Sequence, residues 1–323
     1  MNLGEELLRI EDLSVHFFTY AGVVRAVEDL NLTVMRGEVF ALVGETGCGK
    51  SITMRAVLRL VPPPGKIVKG RIIFDGIDLL KLSEEEMRKI RGSEIAMVFQ
   101  DPNTALDPLF TAGYQVVETL VAHNKKVGIK DAWKRALKLF KLVDIPEAEK
   151  RLHSYPHELS GGMKQRVVIS IALSLNPKLL IADEPTTALD VTIQAQILKL
   201  LKELQEKYNV TLIMITHNLG VVAEMADRVA VMYAGSIVEI ADVFELFENP
   251  LHPYTRGLLG AIPSVTKRVN RLTPIPGTVP NMINPPSGCK FHPRCRYSKS
   301  ICKLKKPELK EVQSGHFVAC HLY

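Results

Sequence analysis

The residues Gly44-Glu45-Thr46-Gly47-Cys48-Gly49-Lys50-Ser51 carry the clearest chemistry in this chain. They satisfy G-x-x-x-x-G-K-[ST] at every fixed position. Glycines let a loop curl until its N–H groups aim inward, and a helix N-terminus behind it adds partial positive charge. Lys50 brings a full charge to the β- and γ-phosphates of a nucleotide, and the Ser51 hydroxyl can ligate Mg²⁺. A glycine-rich turn without a ligand is the bland alternative. Further along, Leu179-Leu180-Ile181-Ala182 runs into Asp183-Glu184-Pro185. Two adjacent carboxylates at the edge of a buried strand are costly unless they serve a cation or a proton relay. Asp183 would orient Mg²⁺ or its water, and Glu184 would polarise the attacking water as general base. Capping a helix is the structural alternative. Gln100 and His217 end two further apolar runs, and a residue at such a strand end points into the crevice of an open α/β sheet. His217 can donate a hydrogen bond to a γ-phosphate. Ser160, Gly161 and Gly162 open a helix that continues through Met163, Lys164, Gln165 and Arg166, which makes a second anion site.

Rigid elements must position these groups. Val39 to Val43 is apolar throughout and predicts a strand buried on both faces, while Ile52 to Leu60 lacks Pro and Gly and predicts the helix behind the loop. Residues 8–17 alternate, with Leu13, Val15 and Phe17 on one face, and Val27 to Val34 predicts a second strand. Two antiparallel strands ahead of the loop could present an aromatic ring to a base. Phe17 is the first choice, followed by Phe18 and Tyr20, and an ordinary core aromatic is the alternative. Residues 70–76 look strand-like, and Ser83-Glu84-Glu85-Glu86 is a capping box opening a helix to about Arg91. Ile95 to Phe99, Leu179 to Ala182 and Val210 to Ile215 predict further buried strands. Val191 to Tyr208 predicts a helix, and Arg228 to Ile240 a hairpin turning at Ala234-Gly235. From 111 to 158 the texture is helical. Asp131 is expected to cap a helix that buries Trp133, Ala136, Leu137 and Phe140 as packing residues. This suggests a helical subdomain, about 101–165, inserted into an α/β core.

At 323 residues the chain is long enough for two units, with the hydrophobic (46%) and charged (24%) fractions of a globular protein. No apolar run approaches the roughly 18 residues of a membrane span. The acidic start Met1-Asn2-Leu3-Gly4-Glu5-Glu6 lacks a signal peptide's pattern, so a cytoplasmic location is expected, with any membrane role exercised through a partner. The net charge of +6 is local. Residues 289–323 hold eight basic residues against two acidic, and the remainder is balanced at 33 against 33. A tail, rather than a basic body that would attract nucleic acid, carries the excess.

Gly44 to Ser51, Gln100, Leu159 to Arg166, Leu180 to Glu184, Ala188 to Asp190 and His217 come in the order and spacing of an ABC-type ATPase, which residues 1–245 resemble. The resemblance implies a P-loop NTPase with a RecA-like α/β core, an antiparallel β subdomain and the inserted helical subdomain. It implies ATP and Mg²⁺ as ligands and a head-to-tail dimer in which ATP lies between one subunit's loop and the other's Leu-Ser-Gly-Gly. It assigns catalysis to Glu184, His217 and Gln100, and Mg²⁺ to Ser51, Gln100 and Asp183. Nucleotide contacts fall to Phe17, Gly44, Glu45, Thr46, Gly47, Cys48, Gly49, Lys50, Ser51, Gln100 and Asp183, with Ser160, Gly161, Gly162, Gln165 and Asp190. Cys48 stands where Ser is common among relatives and predicts a thiol near the phosphates that alkylation would reach.

The remainder, 246–323, narrows the resemblance. Asn249-Pro250-Leu251-His252-Pro253-Tyr254-Thr255-Arg256-Gly257-Leu258-Leu259 is similar to the His-Pro-Tyr segment of dipeptide/oligopeptide permease ATP-binding subunits. A proline-rich stretch from Pro274 to Pro286 should be extended. Cys289, Cys295, Cys302 and Cys320 follow with the spacing C-x5-C-x6-C-x17-C. Disulfides are disfavoured in a reducing cytoplasm. Structural zinc usually shows close Cys pairs, which are absent here. The resemblance favours a [4Fe–4S] cluster on four thiolates, with zinc as the alternative. Neighbouring Lys and Arg would offset its charge, and His292, His316 and His321 are spare ligands or plain packing residues.

The implied function is ATP hydrolysis that drives uptake of di- or oligopeptides at the cytoplasmic face of the membrane. Two transmembrane permease subunits, a second homologous ATPase subunit and, indirectly, an extracytoplasmic solute-binding protein are the implied partners. Nickel and oligosaccharides are alternative cargoes. A soluble ABC ATPase acting on nucleic acid or ribosomes is the competing class, disfavoured by a single cassette without a long heptad insertion.

Overall fold

The structure, a computed structural model, describes residues 4–124, 126–187, 189–261 and 275–323. Met1, Asn2 and Leu3 of the acidic start, Ala188 and Pro274 lie outside them. Two compact units divide the chain: Met1–Lys81 with Ile215–Tyr323, and Leu82–Met214. This compactness cuts the chain differently from the motif-based division at 245.

In the first unit the phosphate-loop strand Val39–Val43 is buried along its whole length. It pairs in parallel with Arg228–Tyr233. That strand turns at Ala234 (φ 46°) and Gly235 (φ 79°) into Ser236–Asp242. Two successive left-handed residues give the tight hairpin the sequence predicts. The second hairpin strand then pairs antiparallel with His316–Val318, so the end of the chain joins the sheet of the phosphate-loop strand.

A separate antiparallel sheet is ordered Gly22–Met35, Glu6–Thr19, Gly65–Phe74, Ile77–Asp78. Its long strand is paired on both sides and bulged at Asp12 (φ 47°). Leu7 with Leu8, and Leu13 with Ser14 and Val15, are therefore buried in runs rather than in strict alternation. The loop helix is Lys50–Val57 and stops short of Leu60 because Arg59 enters the left-handed region (φ 53°).

The C-terminal segment shares the core of this unit. Ala41 and Val43 of the loop strand belong to one buried cluster with Val231, Tyr233, Tyr254 and Phe291. Tyr254 and Phe291 each pack on Tyr233, at ring separations of 4.6 and 5.1 Å. Residues 275–286 have no helix or strand, in keeping with their prolines.

In the second unit, Ser83 and Glu86 form the predicted capping box for Glu84–Ile90. Ile95–Val98 runs parallel to Leu179–Asp183. Helices Ala112–His123, Ile129–Leu142, Gly161–Leu173 and Val191–Tyr208 follow the expected helical texture. The cap of the second is Gly128, not Asp131. Asp131 instead lies in the first turn, where a carboxylate suits the helix dipole. Ala132, Ala136 and Phe140 are buried, and Trp133 stacks on His153 at 5.5 Å, so the stripe is packing.

Candidate functional site

Three glycines of the phosphate loop lie at positive φ: Gly44 (152°), Gly47 (80°) and Gly49 (105°). A Cβ on Gly44 would stand 2.2 Å from the Met232 carbonyl oxygen, and one on Gly49 would stand 2.5 Å from that of Ala26. These two glycines are needed for close backbone approach as well as for conformation. Gly47 meets nothing within 4 Å and sits at the loop's open side.

Lys50 is buried, and its Nζ donates to the carbonyl oxygens of Gly44 (2.8 Å) and Glu45 (3.2 Å). The ammonium is thus held over the loop it would bridge to phosphate. Gly49 stands at the helix N-cap in the left-handed region, with no side-chain cap between the loop and the helix N-terminus. Ser51 lies in the first turn of that helix.

Cys48 corrects the expectation of an accessible thiol. Its side chain is 1% exposed, and burial raises its pKa despite the opposing Lys50 charge. The sulfur lies 3.9 Å from Lys50 Nζ, folded inward under the loop.

Glu45 is engaged by the C-terminal segment. Its backbone N–H donates to Tyr254 Oη at 2.9 Å. Its carboxylate accepts from both Arg294 terminal nitrogens, at 2.8 and 3.1 Å. Sequence reasoning placed Glu45 in the loop and Tyr254 in the His-Pro-Tyr segment. It had no local signal for joining them across 209 residues.

Phe17 is half-buried, and a Cβ on Gly65 would come within 2.7 Å of its ring. Phe18 and Tyr20 are exposed. His217 is exposed immediately after Thr211–Thr216.

In the second unit Asp183 is buried at the end of its strand, and Glu184 follows in the left-handed region (φ 46°). Glu184 Oε2 accepts from Gln100 Nε2 (3.2 Å) and from Thr187 Oγ1 (2.8 Å). Those two donors fix the carboxylate, and Thr187 is a partner the sequence did not suggest. Ser160 caps Gly161–Leu173 by accepting from the Met163 N–H. A Cβ on Gly162 would stand 2.7 Å from Ile193, so a bare backbone is needed there. Gln165 is buried, and among the described residues its Nε2 has no hydrogen-bond partner. Asp190 caps Val191–Tyr208 by accepting from the Ile193 N–H at 2.9 Å.

All five cysteines are free thiols. Cys302 and Cys295 act electrostatically on both Cys289 and Cys320, and Cys302 also acts on Cys295. Burial, reinforced by the other three sulfurs, pushes Cys289 up to about 11. The Phe291, Tyr297 and Leu322 backbone N–H groups, two residues on in each case, act against burial and hold the Cys289, Cys295 and Cys320 thiols lower than burial alone would. Lys299 N–H approaches Cys302 Sγ at 3.4 Å. Backbone N–H groups aimed at sulfur suit thiolate ligands. Among the described residues, however, no three His, Cys, Asp or Glu side chains form a group set to hold a metal ion.

Lys299 lies near enough to lower the Cys320 thiol against the effect of burial, while three other cations of the tail are taken up by ion pairs. Lys290, Arg294 and Lys306 pair with Glu28 (2.9 Å), Glu45 (2.8 Å) and Asp29 (2.9 Å). His316 is buried against Glu239 at 2.8 Å, while His292 and His321 contact the carbonyl oxygens of Cys289 and Lys305.

The sequence profile of the ABC transporter family matches residues 27–187, and that of the oligopeptide/dipeptide transporter C-terminal region matches 238–302. The oligopeptide transport ATP-binding protein OppD of Bacillus subtilis (strain 168) is 52% identical over 97% of this chain and 87% of its own length. The chain belongs to the ATP-binding subunits of the oligopeptide/dipeptide ABC transporter family. The dipeptide transport ATP-binding protein DppD of Escherichia coli (strain K12) is 46% identical over 98% of this chain and 96% of its own. Among solved structures, a dimeric structure of MJ0796, a bacterial ABC transporter cassette, matches at TM-score 0.67 and 29% identity. That match covers 73% of this chain and 99% of the cassette. The fold is accordingly the ABC ATPase cassette, a P-loop NTPase, and this subunit is an ATPase that uses ATP with Mg²⁺. Among its described residues no helix is long and apolar enough to cross a membrane.

Proposed function

We propose that this subunit binds and hydrolyses MgATP to power uptake of di- or oligopeptides at the cytoplasmic face of the cell membrane. Its partners in this reading are two transmembrane permease subunits, a second, homologous ATPase subunit docked head to tail, and indirectly an extracytoplasmic solute-binding protein. The near full-length identity to OppD, which includes the C-terminal region, carries the proposal. Residues 1–245 act as the nucleotide-binding domain, with 101–165 as its helical subdomain, and 246–323 as the family-specific extension.

Each site residue has a role in the proposal. The loop from Gly44 to Ser51 and its Lys50 hold the phosphates, and Phe17 stacks on the base. Ser51, Gln100 and Asp183 attend the Mg²⁺, Glu184 polarises the water and His217 reads the γ-phosphate. Ser160, Gly161, Gly162, Gln165 and Asp190 serve the nucleotide of the opposite subunit. Affinity purification from membranes should bring down two permease subunits, and peptides presented to the complex should stimulate its ATPase. Stimulation by nickel or oligosaccharides alone would change the cargo, and co-sedimentation with ribosomes would replace the transport reading.

Cys289, Cys295, Cys302 and Cys320 are the ligands proposed for a [4Fe–4S] cluster, a reading supported by the four cysteines of the C-terminal segment and by the electrostatic effect of Cys295, Cys302 and Cys320 on Cys289. Protein purified without oxygen should contain about four iron and four sulfide per chain. Stoichiometric zinc without sulfide would make the site a structural zinc knot.

A further inference from the structure

Glu45 introduces a carboxylate into a loop whose task is to hold anions. It sits between Gly44 and Thr46, and its carbonyl oxygen is 3.2 Å from Lys50 Nζ. An unpaired carboxylate there would repel the polyphosphate. The side chain that neutralises it comes from the far end of the chain. Arg294 grips the carboxylate with both terminal nitrogens, at 2.8 and 3.1 Å. Its Nε donates to the Pro276 carbonyl oxygen at 2.8 Å, and one terminal nitrogen also reaches Tyr233 Oη at 3.4 Å. The Arg294 side chain is only 5% exposed, so its fork is held rigid by packing.

The main chain of the same residue is held independently. Tyr254 Oη accepts the Glu45 N–H, and the Tyr254 ring is fully buried between Tyr233 and Phe291. Tyr254 in turn follows His252, whose Nδ1 accepts the Tyr254 N–H at 3.1 Å and caps Pro253–Gly260. The His-Pro-Tyr sequence thus has a concrete use. The His caps the helix, Pro starts it without a wasted N–H, and Tyr places a hydroxyl against the phosphate loop.

We propose that Arg294 and Tyr254 are positioning residues for the phosphate loop, through which the C-terminal extension sets the subunit's affinity for MgATP. Arg294 cancels the Glu45 charge and Tyr254 fixes the loop's entry. Arg294 is the residue immediately before Cys295, so any rearrangement of the cysteine site reaches Glu45 through a single covalent step. This inference rests on the loop binding a nucleoside triphosphate.

Full-length Arg294→Met, Glu45→Gln, the double variant and Tyr254→Phe should be titrated with a fluorescent ATP analogue in the presence of Mg²⁺, with Lys50→Ala in parallel. Arg294→Met should bind roughly tenfold more weakly, equivalent to about 1.4 kcal/mol. Its defect should be larger for the triphosphate than for the diphosphate. Adding Glu45→Gln should return affinity to within about twofold of the parent, because the repelling charge is gone. A purely structural loss would show neither the charge dependence nor the rescue. Tyr254→Phe should raise KM for ATP more than it lowers kcat. Arg294→Met binding within twofold of the parent, or a defect that Glu45→Gln leaves unrepaired, overturns the inference while Lys50→Ala still abolishes binding. A parent protein that fails to bind MgATP overturns the nucleotide reading, and this inference with it.

Discussion

Removing the Glu239 carboxylate should loosen the whole attachment of the C-terminal segment. Glu239 lies mid-strand in Ser236–Asp242 and is fully buried. One carboxylate oxygen accepts the Leu251 N–H at 2.6 Å and contacts His316 Nε2 at 2.8 Å, while the other accepts the His252 N–H at 2.9 Å. Glu239→Ala would strand two buried backbone donors and an imidazole. Each stranded group costs about 1–3 kcal/mol, so the three together cost roughly 3–9 kcal/mol. That is a large share of the roughly 5–15 kcal/mol that holds a typical fold. At about 2 °C per kcal/mol for a chain of this size, the melting temperature should fall by roughly 6–18 °C. Glu239→Gln keeps one carbonyl acceptor and should fall between the two. The same change frees the segment that puts Tyr254 on Glu45, so MgATP affinity should fall in parallel. Differential scanning fluorimetry with and without MgATP reads both effects. A Glu239→Ala variant melting within 2 °C of the parent would show that the buried donors find other partners, and would refute this reasoning.

The pH dependence should carry the signature of His252. Burial, aided by nearby Arg256, pushes its imidazole from 6.5 down to about 3. Below pH 6.5 the unfolded chain takes up a proton that the folded chain refuses. Stability is therefore intact above pH 6.5 and lost as pH falls towards 3, by about 1.4 kcal/mol per unit. Urea titrations at pH 7.5 and 5.0 should differ by about 2 kcal/mol from this group. His252→Asn retains a cap without titrating and should flatten the difference; an equal difference in both proteins would contradict the assignment. Cys48 should resist iodoacetamide in the native protein and react only after denaturation, as peptide mass spectrometry would show. Rapid native labelling would mean that the loop opens.

The phosphate loop was legible because its chemistry is local. Glycine φ values, the Lys and the hydroxyl all lie within eight consecutive residues flanked by a strand and a helix. The strand ends at Asp183 and His217 were legible for a related reason, since apolar runs announce buried strands. The clamp on Glu45 was not. Arg294 and Glu45 are 249 residues apart, and a lone Arg in a basic tail looks like a solvated charge. Glu239 was invisible for the same reason: its partners come from the His-Pro-Tyr segment and the last strand. Cys48 misled because sequence position in an exposed loop says nothing about side-chain direction. Lys50 Nζ lies 3.9 Å from the sulfur, and the bare Gly44 leaves room for it, since a Cβ there would stand 2.8 Å away. The cap at Gly128 rather than Asp131 shows the usual three-residue ambiguity where a first-turn carboxylate and a cap serve the same helix end.

ATP turnover by Glu184→Gln in the assembled transporter tests the central claim most directly. Gln100 and Thr187 hold the Glu184 carboxylate at 3.2 and 2.8 Å, and an amide can keep that place without accepting a proton. The variant should bind MgATP with parental affinity, accumulate as an ATP-bound dimer and hydrolyse at least about 100-fold more slowly. Turnover within threefold of the parent, with binding intact, would remove Glu184 from the chemistry and require another base.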